Sequence, residues 1–231
     1  MSMLLLTALG LCAALAAGPA GASASAAPAV VELFTSQGCS SCPPANAAVA
    51  ALSTRPDVIA LSFGVTYWDD LGWADTFAHP DYTARQRAYA RALGHKGPFT
   101  PEVVVNGRAD TVGNTQAKIL KLVASARPAD AARVVVEPRA VRLSAGRAPV
   151  GGADVWLVRY DPRTIAVPVK RGENTGKTLP HKNVVRELKR LGRWTGQAID
   201  FAAPAAGAGL KTVVLVQAPN GGPVLAAGRD G

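Results

Sequence analysis

Two cysteines carry the clearest chemistry in this sequence. Cys39 and Cys42 stand three residues apart in the motif GCSSCP at residues 38–43. In the first turn of a helix, this spacing brings two side chains to one face, close enough to form a disulfide. The partial positive charge at a helix N-terminus favours a thiolate. We therefore predict a redox-active pair that exchanges through a mixed disulfide, with Cys39 as the more exposed nucleophile and Cys42 as the resolving thiol.

The segments around the pair predict an α/β fold. Residues 29–34 are apolar and β-prone, as expected of a buried strand. A helix is predicted over residues 42–52, where Pro43 and Pro44 are tolerated because they fall in its first turn. Residues 58–65 are the next strand candidate. A strand, a helix and a strand in this order predict a βαβ unit with a parallel sheet.

The rest of the chain predicts a helical insertion, a hairpin and a β-rich part. The insertion covers residues 67–93, an Asn106-Gly107 turn makes the hairpin, and a helix follows over 115–125. A Pro/Ala stretch at 127–129 is typical of a domain boundary. Beyond it, short alternating runs predict antiparallel strands over 133–137, 140–143, 155–160, 165–169 and 212–217. The predicted domains are therefore 27–128 and a smaller antiparallel β domain at 129–231.

The first 26 residues have the composition of a secretory signal peptide. They contain no Lys, Arg, Asp or Glu, and Ala24-Ser25-Ala26 offers the small-x-small pattern of a cleavage site. A retained membrane helix would need about 20 continuous apolar residues, and Gly18, Pro19 and Gly21 interrupt this run. We therefore expect a periplasmic or secreted protein with no stable membrane anchor after cleavage.

Export decides how the cysteines are interpreted. Cys12 would leave with the signal peptide, so the mature chain would keep Cys39 and Cys42. Exported proteins occupy compartments where disulfides persist. A structural disulfide stabilises a fold most when it closes a long loop. This pair closes a very short loop, so it would stabilise the fold little and is a plausible redox-active pair.

The composition excludes some classes of function. Hydrophobic residues make up 48% of the chain and charged residues 18%, which excludes a disordered protein. The net charge of +9 comes from scattered basic residues that are interpreted as solvated faces. Together with export, this pattern argues against a nucleic-acid partner.

The motifs resemble those of the DUF1223 family of exported proteins, within the thioredoxin-like superfamily. The matching segments are LFTSQGCSSCPPA at 33–45, YWDDLGW at 67–73, TARQ at 83–86, TPEVVVNG at 100–107, RGENTGK at 171–177 and HKNVVR at 181–186. The resemblance implies a thioredoxin-like domain with a helical insertion. It also implies that Thr100 and Pro101 belong to the catalytic site, with a cis bond between them and the Thr100 backbone able to pair with an extended substrate.

Other residues offer weaker candidates. Trp68, Asp69 and Trp73 could line a substrate groove near Cys39, although such residues more often cap a helix and fill a gap. The polar segment 171–186 is a binding loop or, more simply, a connection between strands. His79, His95 and His181 are too dispersed for a metal motif, so neither a metal nor a cofactor site is predicted.

Three functions remain open on these observations. The first is a thiol–disulfide oxidoreductase that acts on protein or small-molecule disulfides and thiols in the cell envelope without a bound cofactor. The second is a non-catalytic binding protein on a thioredoxin scaffold, in which the Cys39–Cys42 disulfide is structural. The third is copper delivery, with both cysteines and one histidine as soft ligands.

Overall fold

The computed structural model describes residues 27–126 and 131–230. The predicted signal peptide with Cys12, and the predicted boundary at 127–129, lie outside these residues. Within the described ranges no helix combines the length and hydropathy needed to span a membrane. The elements are β1 (Ala29–Thr35), α1 (Pro43–Leu52), β2 (Val58–Gly64), a 3-10 helix (Asp69–Leu71), α2 (Pro80–Ala92), β3 (Glu102–Val105), β4 (Ala109–Thr111), α3 (Gln116–Ser125), β5 (Val134–Val136), β6 (Ala140–Leu143), β7 (Ala153–Pro168), β8 (Thr178–Trp194), β9 (Ile199–Ala202), β10 (Lys211–Gln217) and β11 (Val224–Arg229).

Strand β1 leads into the cysteine pair and lies inside the sheet. All seven of its residues are buried. It pairs in parallel with β2 and antiparallel with β3, so its backbone is satisfied on both edges. Helix α1 begins at Pro43, directly after Cys42, and packs Val49 and Leu52 against the sheet. The predicted strand–helix–strand order is confirmed.

The β3–β4 hairpin turns at the predicted Asn-Gly pair. Asn106 and Gly107 have φ of 50° and 60°, as a tight hairpin turn between twisted strands requires. A Cβ on Gly107 would lie 2.6 Å from the carbonyl oxygen of Gly222, so the turn packs closely on the β10–β11 connection. The Thr100–Pro101 peptide bond before this hairpin is cis, as expected.

The C-terminal strands extend the sheet that contains β1. One eight-stranded mixed sheet has the order β11-β10-β7-β8-β2-β1-β3-β4, and β5, β6 and β9 form a separate antiparallel sheet. Strand β8 meets β2 where Ser62 pairs with Val184, and Asn183 donates to the carbonyl of Ala60. Strands from both predicted domains thus share one sheet.

Two of the predicted C-terminal elements need correction. The runs at 155–160 and 165–169 belong to one 16-residue strand, β7. The segment 171–186 is a loop only up to Lys177, because β8 begins at Thr178 and continues for 17 residues. Basic and polar residues interrupt the alternation of this strand. The strand forms because it pairs with β7 along most of its length, and this pairing is not visible in the local sequence pattern.

A buried ion pair connects β1 to α2 and β10. The guanidinium of Arg85 donates to both carboxylate oxygens of Glu32, at 2.5 and 3.0 Å. Tyr89 donates its hydroxyl hydrogen to Glu32 at 2.6 Å, and Gln217 accepts from Arg85 at 3.1 Å. Because both charges are almost fully buried, each needs these partners to offset the loss of water.

We predict that Arg85→Met lowers the free energy of unfolding by about 3–5 kcal/mol, because it leaves the buried Glu32 carboxylate without a cation. The double variant Glu32→Leu/Arg85→Met should recover much of this loss. The matched control is Arg55→Met, which breaks an exposed pair with Asp57 and should cost less than about 1 kcal/mol. Urea unfolding measures all three. Equal costs for Arg85→Met and Arg55→Met would contradict the prediction.

Candidate redox site

The cysteine pair lies between the end of β1 and the start of α1. Cys39 and Cys42 form a disulfide with a Cα–Cα distance of 5.4 Å. Cys42 is the residue before the first turn of α1, and its carbonyl accepts from the N–H groups of Ala45 and Asn46. The local turn is closed by the N–H of Cys39, which donates to Ser36. This is the predicted strand-to-helix junction.

Both cysteines are buried. The exposed fraction is 0% for Cys39 and for Cys42, so the expectation that Cys39 is the more exposed is wrong. The exposed residues of the motif are Ser40 and Ser41, which lie between the cysteines. The burial of both sulfurs depends on the tertiary structure, and local helix geometry does not predict it.

One hydroxyl lies next to the sulfur of Cys39. The Ser41 Oγ is 3.2 Å from the Cys39 Sγ. Pro43 and Pro44 lack N–H groups, so the first turn of α1 has fewer backbone donors than usual. Once the disulfide is reduced, the Ser41 hydroxyl is therefore a donor that can stabilise a Cys39 thiolate.

The β7–β8 loop contacts the backbone of the motif. Asn174, which is fully buried, donates at 2.9 Å to the carbonyl of Gln37 and at 2.9 Å to that of Cys39. Glu173 accepts from the backbone N–H of Ser40 at 3.0 Å. Hydrogen bonds from Ser40 lower the pKa of Glu173, which keeps this carboxylate charged beside the pair.

Sequence reasoning assigned no chemistry to Glu173 and Asn174. The signal was present as a polar, glycine-rich segment in an otherwise apolar region. Its contacts join residues more than 130 positions apart, and a local pattern does not encode them.

The candidate substrate residues contact the segment just before Cys39. Trp73 donates its indole N–H to the side chain of Gln37 at 2.9 Å. Asp75 accepts from the backbone N–H of Gln37 at 2.7 Å, and Asp69 accepts from the N–H of Asp75 at 3.0 Å. Burial raises the pKa of Asp75 to about 6. In this arrangement Asp69 and Trp73 position the turn around Gln37.

Trp68 connects the cysteine turn to the predicted Thr100–Pro101 site. Its indole N–H donates to the Thr100 Oγ1 at 2.7 Å. A Cβ built on Gly38 would lie 3.5 Å from the Cβ of Trp68, which places the two residues in contact range. The structure therefore brings Trp68, Thr100 and the residue before Cys39 together. Pro101 is buried and directly precedes β3.

The three histidines occupy different places. His79 precedes α2 and accepts from the N–H of Asp81, while His181 is buried against the ring of Phe77. His95 lies beside Asp110. Among the described residues, the cluster of potential metal ligands includes neither Cys39 nor Cys42. The structure therefore does not support the copper-delivery hypothesis with a set of cysteine and histidine ligands.

A cavity of about 550 Å³ lies elsewhere in the fold. It is lined by α2, by β7 and β8, and by the β10–β11 connection, and Arg85 and Trp156 form part of its wall. Neither cysteine lines it.

The profile of the family described as "Protein of unknown function (DUF1223)" matches residues 30–217. The chain belongs to the DUF1223 family. It is similar to the crystal structure of protein AGR_C_4864 from Agrobacterium tumefaciens, with 30% identity and a TM-score of 0.74, over 89% of this chain and 94% of that one.

A more distant likeness concerns the fold alone. HBP35 of Porphyromonas gingivalis shares 16% identity with a TM-score of 0.55, over 89% of this DUF1223 chain and 75% of that one. No protein of curated function matches.

We predict that Asn174→Ala lowers the free energy of unfolding of the oxidised protein by roughly 1–3 kcal/mol, because two buried carbonyls lose their donor. Reduction of the disulfide by dithiothreitol should also become faster. The control is Thr175→Ala, since the Thr175 hydroxyl bonds within the loop, to Gly172. Urea unfolding and reduction kinetics give the two readouts. If Thr175→Ala matches Asn174→Ala in both, the loop contact has no special role.

We also predict a pH effect from His181. Burial lowers the pKa of His181 to about 4 from 6.5, so the folded state binds fewer protons than the unfolded state between these values. The contribution of His181 to the free energy of unfolding is fully present above pH 6.5. It falls by roughly 3 kcal/mol as the pH decreases to 4. In His181→Gln this part of the acid loss should vanish, whereas in the exposed His79→Gln it should persist. Urea unfolding at several pH values tests this, and equal slopes in wild type and His181→Gln would refute it.

Proposed function

We propose that this protein is a thioredoxin-like thiol–disulfide oxidoreductase of the cell envelope, with Cys39 and Cys42 as its redox centre. The observation that carries the proposal is the C-x-x-C disulfide at the N-terminus of α1, directly after a buried strand of the main sheet. A pair three residues apart closes a very short loop, which contributes little to stability and suits reversible chemistry.

Exchange would proceed in two thiolate displacements. A substrate thiolate attacks the Cys39 sulfur, the Cys39–Cys42 bond breaks, and Cys42 leaves as a thiolate. A second substrate thiolate then attacks the substrate sulfur of this mixed disulfide and releases Cys39. The substrate leaves as a disulfide, and its two electrons stay on the cysteine pair. The reverse sequence reduces a substrate disulfide.

The surroundings of the pair support this order of attack. The Ser41 hydroxyl beside Cys39 favours its thiolate as an attacking and leaving group. Cys42 directly precedes the first turn of α1, as its N-cap residue, and is the natural resolving thiol. Trp68 and Thr100 supply a surface next to the motif for an extended or small disulfide substrate.

Burial of both sulfurs means that a substrate must gain access. The loop residues Glu173 and Asn174 hold the motif through hydrogen bonds, and the Glu173 contact lies at the surface. Displacement of this contact is the smallest change that would loosen the cover over Cys39. A substrate that competes for the Ser40 N–H would make this change on binding.

The proposed location is the periplasm or the exterior. It rests on the uncharged, apolar segment 1–26 and its small-residue cleavage pattern. The proposed partners are protein or small-molecule disulfides and thiols of the envelope, with no nucleic acid and no stable membrane anchor after signal cleavage.

A second candidate is a binding protein in which the disulfide is structural. The complete burial of Cys39 and Cys42, and the two hydrogen bonds from Asn174, favour it. The two candidates differ in how readily the disulfide is reduced.

We predict a reduction potential between about −270 and −120 mV for the Cys39–Cys42 pair, measured against glutathione or dithiothreitol redox buffers. A value well below about −300 mV would mark a resistant structural disulfide and support the binding protein.

Trapping provides the second arm of this experiment. When it is incubated with an envelope extract, the Cys42→Ser variant should capture partner proteins as mixed disulfides on Cys39, because the resolving thiol is absent. The matched control Cys39→Ser should retain far fewer. A potential in the structural range together with no difference between these variants would reject the oxidoreductase.

A further inference from the structure

Three potential metal ligands meet where α2 ends and the β3–β4 hairpin begins. Gly94 follows α2 with a φ of 81°, and the next residue, His95, donates its backbone N–H to Ala90 at 2.8 Å. This helix ending holds the imidazole next to the hairpin. Glu102 is the first residue of β3, and Asp110 lies in the middle of β4.

The hairpin register places the two carboxylates on one face. Asp110 pairs with Val104, and Glu102 is two residues from Val104 on the same strand. Residues two apart on a strand share a face, so Glu102 and Asp110 are diagonal neighbours. The Nε2 of His95 is 3.1 Å from the Oδ2 of Asp110. Ligand atoms of all three side chains lie within 4.8 Å of one another.

One oxygen of the buried Glu102 carboxylate has no hydrogen-bond partner among the described residues. Glu102 is fully buried, and its Oε2 accepts from Gln86 at 2.7 Å. Its Oε1 is also buried and makes no hydrogen bond. Buried carboxylates are normally paired or coordinate a metal, because an unpartnered charge loses its hydration. A cation beside this oxygen would offset its lost hydration.

We propose that His95, Glu102 and Asp110 form a binding site for one divalent transition-metal ion of the zinc type. Zinc accepts both imidazole nitrogen and carboxylate oxygen as ligands, and two carboxylates would balance the charge of the ion. Calcium and magnesium fit less well, because they take oxygen ligands in larger number.

The cluster is accessible on one side and closed on the other. The side chains of His95 and Asp110 are 36% and 15% exposed, so an ion can reach them, while Glu102 closes the base. Around zinc, tetrahedral ligand atoms lie about 3.4 Å apart, so the side chains must close by up to about 1.4 Å. His95 and Asp110 are already 3.1 Å apart, so both would have to move toward the buried Glu102 carboxylate, and a water would complete the coordination.

The test is a zinc titration of the untagged, oxidised full-length mature protein by isothermal calorimetry. The intact Cys39–Cys42 disulfide prevents the cysteines from binding the ion as thiolates. We expect one Zn²⁺ per chain, a rise in the thermal midpoint with Zn²⁺, and a visible absorption band with Co²⁺. His95→Gln and Asp110→Asn should each weaken binding by roughly tenfold or more.

Two control variants distinguish zinc binding at this site from zinc binding at other side chains. His79→Gln should bind zinc as the wild type does, because His79 and Asp81 form an exposed pair without a buried third carboxylate. The double variant Cys39→Ser/Cys42→Ser should also bind, which makes this result independent of the redox proposal. His95 and Asp110 are rim residues, so the test does not depend on the folding of a Glu102 variant.

No Zn²⁺ binding by the oxidised protein would overturn the proposal. So would unchanged affinity in both His95→Gln and Asp110→Asn, or a loss of binding confined to the cysteine double variant.

Discussion

A carboxylate inside a buried strand is destabilising by several kcal/mol unless a cation and hydrogen-bond donors meet it. Glu32 occupies such a position in β1, and Arg85 of α2 is its cation. The Arg85 guanidinium lies over the rings of Phe63 in β2 and Trp156 in β7, and it donates to Gln217 in β10. The first βαβ unit, α2 and the C-terminal strands therefore meet at one charge pair.

The cysteine pair depends on this arrangement because it follows the same strand. β1 carries the chain from Glu32 to the turn that contains Cys39, and two distant segments then hold that turn. Asn174 and Glu173 bind it from the β7–β8 loop, and Trp73 and Asp75 bind it from the segment before α2. The result is a buried disulfide whose turn is hydrogen-bonded to two distant segments. Under the proposed function, exchange at such a site would require the cover to open as well as thiol chemistry.

Strand β3 connects the proposed redox site to the proposed metal site. Its first residue, Glu102, pairs with Phe34 of β1 and directly follows Pro101. Thr100 contacts Trp68 beside the cysteine turn, whereas Glu102 turns toward Gln86 and the His95–Asp110 pair. A metal ion at His95, Glu102 and Asp110 would join the end of α2 to the β3–β4 hairpin. It would neutralise the buried carboxylate that adjoins the proposed substrate surface.

The sequence by itself determined the features that neighbouring residues encode. The apolar run of β1, the prolines that begin α1, the strand β2 and the Asn106-Gly107 turn all follow from local sterics and periodicity. The C-x-x-C spacing likewise predicts the disulfide between Cys39 and Cys42. The resemblance to the family predicts the cis peptide bond before Pro101.

Only the tertiary structure decided how these pieces meet. Local patterns separated a β-rich C-terminal part at residue 129, but pairing of Ser62 with Val184 joins its strands to the main sheet. Local geometry predicted that Cys39 is the more exposed cysteine, but both are buried, and Glu173 and Asn174 bind the motif from more than 130 residues away. The sequence offers no metal motif at His95, whereas a helix ending and a hairpin bring it within reach of Glu102 and Asp110. In each case the contact that decides the outcome joins separate elements of the fold. The energy of such a contact depends on burial and strand register, and neither can be read from a local sequence pattern.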